Sequence, residues 1–219
     1  MKALLVDDHA LFRDGFTLLM GQRFPEVELI GAADIGEAGL ALAAHPDIEL
    51  ILLDLGLPDS QGLSSLQRLQ ARASDVPVVV MSADERPETI LAAIDQGAAG
   101  FVPKTARLAE IEGALRIVLD GGTYLPAGIY RNLAPVQSAG LDPARLRDAR
   151  FEALGLSPRQ IDVLRLLVLG RSTKLISREL DLAESTVKTH LLALFRKLDV
   201  NSRTQAIVAA ARLGLTFDL

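Results

Sequence analysis

The sequence predicts a doubly wound α/β domain of flavodoxin-like strand order, followed by a small all-α domain of four helices with a helix-turn-helix. Short apolar runs alternate with amphipathic helical stretches through about residue 120. The alternation stops at Gly121-Gly122, and no strand signal returns after Ser157. From Phe151 onward the chain carries 10 Lys and Arg against 7 Asp and Glu, whereas the preceding part carries 13 against 21. An acidic first part and a mildly basic second part indicate two domains with different partners.

Five strand-and-helix units are expected in the first domain. The apolar runs predicted as strands are Ala3–Val6, Val27–Ala33, Glu49–Leu53, Pro77–Met81 and Gly100–Val102. The stretches with helical periodicity are Ala10–Gln22, Glu37–Ala44, Gly62–Arg72, Pro87–Gln96 and Arg107–Leu119. Because parallel strands need crossover connections, this alternation favours a parallel sheet with helices on both faces.

The domain boundaries follow from composition. We expect the first domain to cover residues 1–121, a linker to cover 122–154 and the second domain to cover 155–219. The linker is rich in Gly, Pro and small polar residues up to about Gly140. Asp142-Pro143 resembles an N-cap followed by proline at the first helical position, so a short charged helix is predicted up to Leu154.

Four helices are expected in the second domain. Ser157-Pro158-Arg159-Gln160 opens the first with an N-cap, an N1 proline and a capping-box glutamine, and Gly170 ends it. The other three are predicted at Thr173–Leu180, Glu184–Leu198 and Arg203–Leu213, the last ending at Gly214. Since only three residues separate the second helix from the third, this pair is predicted to form the helix-turn-helix.

Composition excludes several classes of protein. No apolar stretch is long enough to cross a bilayer, and acidic residues come too early for the apolar region of a secretory signal. The absence of cysteine excludes disulfides and thiolate metal sites. We therefore expect a globular cytoplasmic protein without a membrane partner.

Carboxylates follow two of the predicted strands. Asp7 and Asp8 come directly after the first strand, and Asp54 comes directly after the third. In a parallel sheet these strand ends meet at the carboxyl edge, where α/β folds bind ligands. Gathered carboxylates repel one another unless a cation joins them, so the pattern predicts a site for a hard divalent metal ion.

Two further polar residues reach the same edge of the predicted sheet. Ser82 follows the fourth strand and Lys104 follows the fifth. A metal held by carboxylates beside a hydroxyl group and an ammonium group can hold a phosphoryl group. Asp54, alone at the end of a central strand, is then the expected nucleophile that forms an acyl phosphate.

Four motifs surround these residues, one at the end of each strand that carries a polar residue. In chain order they are Val6-Asp7-Asp8-His9; Asp54-Leu55-Gly56-Leu57-Pro58-Asp59 with Gly62; Met81-Ser82-Ala83; and Gly97-Ala98-Ala99-Gly100-Phe101-Val102-Pro103-Lys104. Together they resemble the receiver domain of a two-component response regulator. The resemblance implies that Asp54 is the phosphate acceptor. It also implies that Asp7, Asp8, Asp54 and the backbone carbonyl of Gly56 bind Mg2+.

The same resemblance implies a phosphate-sensing group. Ser82 matches the hydroxyl residue that moves toward the acyl phosphate, Phe101 the switch aromatic and Lys104 the phosphate-pairing lysine. Phosphorylation would pull Ser82 and Phe101 inward and change the face formed by the fourth helix and fifth strand. We expect His9 to begin the first helix and assign it no chemistry.

The second domain carries its own set of motifs, which are Leu156 to Gln160, Gly170, Ser172, Lys174-Leu175-Ile176, Ser185 to His190, Arg196-Lys197-Leu198 and Ser202 to Ala206. These resemble the LuxR/NarL-type output domain over about Leu156 to Leu215. The third helix turns Lys188, Thr189 and Leu192 away from its apolar stripe, so these residues are predicted to enter the major groove of DNA. Leu192 could meet a thymine methyl group or act as a packing residue.

Four more residues are candidates for contacts to the DNA backbone. Lys174, Lys197 and Arg203 lie at or near predicted helix ends, where cations can hold phosphates. Thr186, in the first turn of the third helix, can add a backbone contact.

The resemblances together imply a bacterial response regulator of the NarL/FixJ type. A sensor histidine kinase would phosphorylate Asp54 in a Mg2+-dependent step, and the phosphorylated protein would bind double-stranded DNA as a homodimer, with RNA polymerase as a further candidate partner. The receiver would catalyse only its own phosphorylation and dephosphorylation. Phosphorylation would act as a population shift between two arrangements.

Two other functions are compatible with the sequence. One is a DNA-binding regulator with a receiver-like domain that works without phosphorylation. The other is a Mg2+-dependent phosphatase resembling the haloacid dehalogenases, which also use an aspartate at a strand end. That class requires a second aspartate two residues after the nucleophile, where this chain has Gly56.

Overall fold

The computed structural model describes residues 1–60, 62–126, 129, 143–213 and 215, and of residues 143–147 it describes only the helical backbone. The chain divides into two compact units, Met1–Glu112 and Gly113–Leu219. The domain boundaries expected at residues 121 and 155 remain predictions.

The first unit is built on a five-stranded parallel sheet. Its strands are β1 (Lys2–Val6), β2 (Glu28–Ala32), β3 (Ile48–Asp54), β4 (Val78–Ser82) and β5 (Gly100–Pro103). Their order across the sheet is β2-β1-β3-β4-β5, and every neighbouring pair is parallel. The flavodoxin-like order is therefore confirmed.

Helices connect the strands of this sheet. The connecting helices are α1 (Ala10–Arg23), α2 (Ile35–Ala44), α3 (Ser64–Gln70) and α4 (Pro87–Asp95), whereas α5 (Leu108–Leu119) follows the last strand and continues past Glu112 into the second unit. Crossover connections between parallel strands are right-handed, so the direction of a connection along the sheet decides which face its helix covers. The connection from β1 to β2 runs in one direction and the later connections run in the other. α1 therefore lies on the face opposite α2, α3 and α4. The direction in which successive strands are added to the sheet thus reverses between β1 and β3. Doubly wound sheets bind their ligands at the carboxyl ends of the strands at such a position.

The central strands form the core of the unit. Ala3–Val6, Leu50–Leu53 and Val78–Met81 are all buried, as expected for strands covered on both faces. Because neither face of these strands meets solvent, polar residues do not alternate with apolar ones, and the strands appear in the sequence as continuous apolar runs. At the carboxyl ends of these strands the cover by helices stops, so polar side chains can be accommodated there.

Two helices of this unit begin two residues away from their predicted starts, and α5 begins one residue late, at Leu108. α2 begins at Ile35, two residues early, because the side chain of Asp34 caps it by accepting a hydrogen bond from the Glu37 N–H at 2.7 Å. α3 begins at Ser64, two residues late, because Gly62 has a φ of 57° and so cannot belong to a right-handed helix.

The second unit contains the remaining described helices. They are α6 (Pro143–Ala153), α7 (Pro158–Val168), α8 (Thr173–Leu180), α9 (Glu184–Lys197) and α10 (Arg203–Arg212). The short helix predicted in the linker is present as α6, whereas its predicted cap Asp142, the tract before it and the Gly214 stop lie outside the described residues.

The caps of the second unit follow the sequence signals. Ser157 and Gln160 form a complete capping box at the start of α7, and Gly170, with a φ of 76°, follows its end. α8 and α9 are joined through Asp181, which has a φ of 52°, and α9 packs against α7, α8 and α10. The predicted helix-turn-helix is therefore confirmed. No helix in the described part of the chain has the length and apolarity needed to span a bilayer.

Candidate functional site

The predicted carboxylates come together at the carboxyl edge of the sheet. Oxygen atoms of Asp7, Asp8 and Asp54 and a ring nitrogen of His9 all lie within 4.8 Å of one another. Asp7 is fully buried and Asp54 is 4% exposed, whereas the Asp8 side chain is 32% exposed. The cluster sits where β1 and β3 end, because Val6 pairs with Leu53 in the parallel register and the next residues, Asp7 and Asp54, therefore lie at the same height of the sheet.

Lys104 supplies a cation to this cluster. Its Nζ lies 2.8 Å from Asp7 Oδ2 and 2.8 Å from Asp54 Oδ2. Burial alone would lower the pKa of Lys104, but the hydrogen bonds with Asp54 and Asp7 outweigh it and the pKa is raised above its ordinary value. The ammonium group is therefore charged at neutral pH and offsets part of the carboxylate repulsion.

An open pocket of about 370 Å³ lies beside this cluster and is lined by His9, Asp54, Gly56, Ser82, Thr89 and Lys104, among others. Ser82 is buried, and its Oγ accepts a hydrogen bond from the Asp84 N–H at 3.1 Å. Since the oxygen serves as the acceptor there, the hydroxyl hydrogen can point into the pocket. The pocket therefore offers a carboxylate, an ammonium group and a hydroxyl donor to one ligand.

The loop after β3 approaches the Asp54 carboxylate closely. A Cβ atom at Gly56 would lie 3.3 Å from Asp54 Oδ2, so a side chain there would crowd the carboxylate. Gly62 closes the loop by donating its N–H to the Leu55 carbonyl at 3.1 Å, in a left-handed conformation that favours glycine. Gly56 thus leaves space beside Asp54 in which a ligand and the backbone can both fit.

Phe101 is fully buried in β5. We expected phosphorylation to pull this ring inward, but here it is already inside the core. Its packing is explained by the parallel sheet, and its role as a switch remains a prediction.

His9 belongs to the cluster, although sequence reasoning assigned it no chemistry. Its Nδ1 lies 2.7 Å from Asp8 Oδ1 and 3.1 Å from Asp7 Oδ1, and its backbone N–H donates to Asp7 Oδ1 at 2.9 Å. The adjacency of His9 to the two aspartates was the available signal. The turn that folds the ring back onto both carboxylates produces no periodic pattern in the sequence.

The second unit presents a polar surface on α9. Lys188 and Thr189 are exposed, and Leu192 is 58% exposed, whereas Val187 and Leu191 are buried. The hydroxyl group of Thr189 donates to the Ser185 carbonyl at 3.0 Å, so this side chain can offer a partner its methyl group and the acceptor side of its oxygen. One buried stripe and one exposed stripe give α9 the amphipathic character expected of a recognition helix.

The predicted backbone contacts differ in their surroundings. Lys174 is exposed and Thr186 is half-buried, both in the first turns of their helices. Lys197 donates instead to the Gly155 carbonyl and, at 2.7 Å, to Gln160 Oε1. Its ammonium group therefore joins the end of α9 to the capping box of α7.

Arg203 also has an internal partner. Its Nη2 donates to the Arg171 carbonyl, and burial lowers the pKa of Arg203 to about 10. In this conformation the guanidinium group stabilises the turn before α8 through this hydrogen bond.

Comparisons with known proteins agree with both units. A family model described as the response regulator receiver domain matches residues 3–116, and one described as bacterial regulatory proteins of the luxR family matches residues 154–210. The glycerol metabolism activator of Pseudomonas putida is 36% identical, over 98% of this chain and 97% of its own length. The nitrate/nitrite response regulator protein NarL of Escherichia coli K12 is 35% identical, over 94% of this chain and 92% of its own.

A solved structure is similar to part of the chain. The crystal structure of a LuxR family DNA-binding response regulator from Silicibacter pomeroyi has 32% identity and a TM-score of 0.51, and the match covers 58% of this chain and 98% of that one. The fold, the site and these matches define a receiver joined to a helix-turn-helix output domain. The chain belongs to the two-component response regulators with a LuxR-type DNA-binding domain, and it is a phosphorylation-controlled transcriptional regulator.

Proposed function

We propose that Asp54 accepts a phosphoryl group from a sensor histidine kinase in a Mg2+-dependent step, and that this modification controls the binding of a homodimer to double-stranded DNA. One observation carries the proposal. The carboxylates of Asp7, Asp8 and Asp54 converge at the carboxyl edge of the sheet, and the Lys104 ammonium group lies 2.8 Å from two of them. Packing alone does not account for three carboxylates in one place, because their repulsion and desolvation oppose folding.

The residues present suit Mg2+. The carboxylates of Asp7, Asp8 and Asp54 are hard oxygen donors, and the missing side chain at Gly56 leaves room for a backbone carbonyl beside them. When bound, Mg2+ would neutralise carboxylate and phosphoryl oxygens together.

The chain's own groups can carry the transfer. A carboxylate oxygen of Asp54 forms a bond to phosphorus while the bond between phosphorus and the kinase histidine nitrogen breaks, and the histidine keeps the electron pair. Lys104 would pair with the charge on the phosphoryl oxygens, and Ser82 would donate its hydroxyl hydrogen to another of them. Attack by water on the acyl phosphate would release inorganic phosphate and return Asp54 to its free carboxylate.

We assign Lys188, Thr189 and Leu192 to the base-reading surface, because all three are exposed on one helix. Leu192 and the methyl group of Thr189 suit the methyl group of thymine. Lys174 and Thr186 would hold the DNA backbone at helix starts. For Lys197 and Arg203 we propose an indirect role, in which their internal hydrogen bonds orient the helices that meet DNA, unless binding releases them.

DNA and a histidine kinase as partners would place the protein in the cytoplasm, with RNA polymerase as a further partner at promoters. We also propose domain boundaries at residues 121 and 155, which lie close to the end of the receiver match at residue 116 and the start of the luxR-family match at residue 154.

Replacing Lys188 with alanine should weaken binding to a preferred DNA site by about 5- to 150-fold, since a base contact contributes roughly 1–3 kcal/mol. The loss on random duplex should be smaller. Lys174→Ala is the matched control, because a phosphate contact should lower both affinities alike and reduce their salt dependence. The measurement is a titration of labelled duplex, selected from random DNA, at several salt concentrations. If Lys188→Ala lowers the affinity for both duplexes by the same factor, Lys188 contacts a phosphate and does not read a base.

The proposed coupling is tested by DNA affinity with and without beryllofluoride, a phosphoryl mimic, in the presence of Mg2+. The mimic should raise affinity at least about fivefold, the lower end of usual allosteric coupling. Asp54→Asn protein should show no response to the mimic. An affinity that is high and unchanged by the mimic would favour a regulator that works without phosphorylation.

A further inference from the structure

An aromatic ring lies against the lysine of the acidic cluster. The Nζ of Lys104 is 4.9 Å from the centroid of the Phe12 ring, within the range of a cation–π contact. The same ammonium group is 2.8 Å from Asp7 Oδ2 and 2.8 Å from Asp54 Oδ2. Lys104 therefore has two carboxylate partners and one aromatic partner.

The ring of Phe12 is held in place by a second ring. Phe12 and Phe16, one turn apart on α1, stack with centroids 5.7 Å apart and an interplanar angle of 19°. Phe16 is 4% exposed and so is anchored in the core. The stack fixes the Phe12 ring against a buried side chain, and the ring can then restrain the long, flexible stem of Lys104.

The carboxylate contacts of Lys104 are the ones that phosphorylation would disturb. Under the proposed function, Asp54 gains a phosphoryl group and Asp7 takes a cation. Neither oxygen could then keep its present contact with Nζ unchanged. The contact with Phe12 requires neither oxygen, so it can persist throughout the transfer.

We propose that Phe12 is a positioning residue that keeps the ammonium group of Lys104 at the phosphoryl site when the carboxylates change partners. The proposal rests on the proposed function of Asp54. The ring makes no contact with the phosphoryl group and acts only through Lys104. Its effect falls on the rate of transfer, because in the resting protein the two carboxylates already hold the ammonium group.

The first test compares phosphorylation by acetyl phosphate at saturating Mg2+ in Phe12→Leu and Phe12→Tyr proteins. Leucine keeps an apolar side chain but loses the ring, so the rate should fall about 2- to 30-fold. Tyrosine keeps the ring and should restore the rate. Mg2+ affinity should be unchanged in both variants, whereas a general disturbance of the site would lower it. A wild-type rate in Phe12→Leu protein would overturn the proposal.

The second test places Phe12→Leu in a Lys104→Met background. If the ring acts through the ammonium group, the substitution should cause little further loss there. A loss as large as in the wild-type background would show that Phe12 acts through packing and would contradict the proposal.

The third test needs neither metal nor phosphodonor. In the metal-free protein, NMR should find the Lys104 side-chain methylene protons next to Nζ shifted upfield by the ring current, a shift that Phe12→Leu removes and Phe12→Tyr retains. An unshifted signal in the wild-type protein would overturn the contact itself. Failure of wild-type protein to incorporate phosphate at Asp54 would instead remove the proposed function and leave this signal in place, so the two failures are distinguishable.

Discussion

Asp54→Asn protein is expected to incorporate the phosphoryl group from acetyl phosphate or from a kinase at least about 100-fold more slowly than wild type. The amide oxygen of asparagine is a poor nucleophile and carries no charge, so it can neither attack phosphorus effectively nor attract the metal. Asp54 is 4% exposed at the end of β3, and asparagine has nearly the same shape, so the fold should survive the change. The measurement is the time course of label incorporation at saturating Mg2+.

A matched control is available in the same loop. Asp59 accepts a hydrogen bond from the Ile35 N–H at 3.2 Å, a contact that the oxygen of asparagine can keep. Asp59→Asn should therefore be labelled at close to the wild-type rate. Undiminished labelling of Asp54→Asn protein would remove Asp54 from the proposed role.

Lys104→Met protein should bind Mg2+ more tightly and accept the phosphoryl group more slowly. In the resting protein the ammonium group occupies a position beside Asp7 and Asp54, where it competes with a second cation. Removing it should raise Mg2+ affinity about tenfold, since each 1.4 kcal/mol of relieved repulsion corresponds to a factor of ten. Losing the cation that faces the transferred charge should slow labelling about 100-fold at saturating Mg2+.

The control for this variant is Lys2→Met. Lys2 pairs with Asp47 at 3.0 Å near the start of β1, at the opposite edge of the sheet. Calorimetric Mg2+ titration and label incorporation should both match wild type. If Lys104→Met protein binds Mg2+ no better and is labelled as fast as wild type, the ammonium group takes no part in the site.

The fold was predictable because its determinants are local. Buried parallel strands appear as apolar runs that end in a polar residue, so the parallel sheet and the residues at its carboxyl edge follow from the alternation. The flavodoxin-like strand order is one of the common orders of doubly wound sheets, and the alternation alone does not select it. The capping box at Ser157 likewise uses residues three apart. Errors of one or two residues arose where a cap or a glycine conformation, as at Asp34 and Gly62, set the boundary.

The parts of the candidate site that escaped prediction depend on side-chain conformation and long-range contacts. The imidazole of His9 folds back on its own neighbours, and Phe12 meets a lysine 92 residues away. Lys197 and Arg203 looked like phosphate contacts because they lie at helix ends, but both donate to backbone carbonyl groups within the second unit. A basic residue in a sequence does not reveal which acceptor its side chain reaches.

The most direct test is to locate the phosphoryl group chemically. Wild-type protein incubated with Mg2+ and acetyl phosphate would be treated with borohydride, which reduces an acyl phosphate of aspartate to homoserine, and then mapped by peptide mass spectrometry. Homoserine at position 54, formed only when both Mg2+ and the donor are present, is the predicted result. Phosphate recovered on another residue, or incorporation that does not depend on Mg2+, would contradict the account.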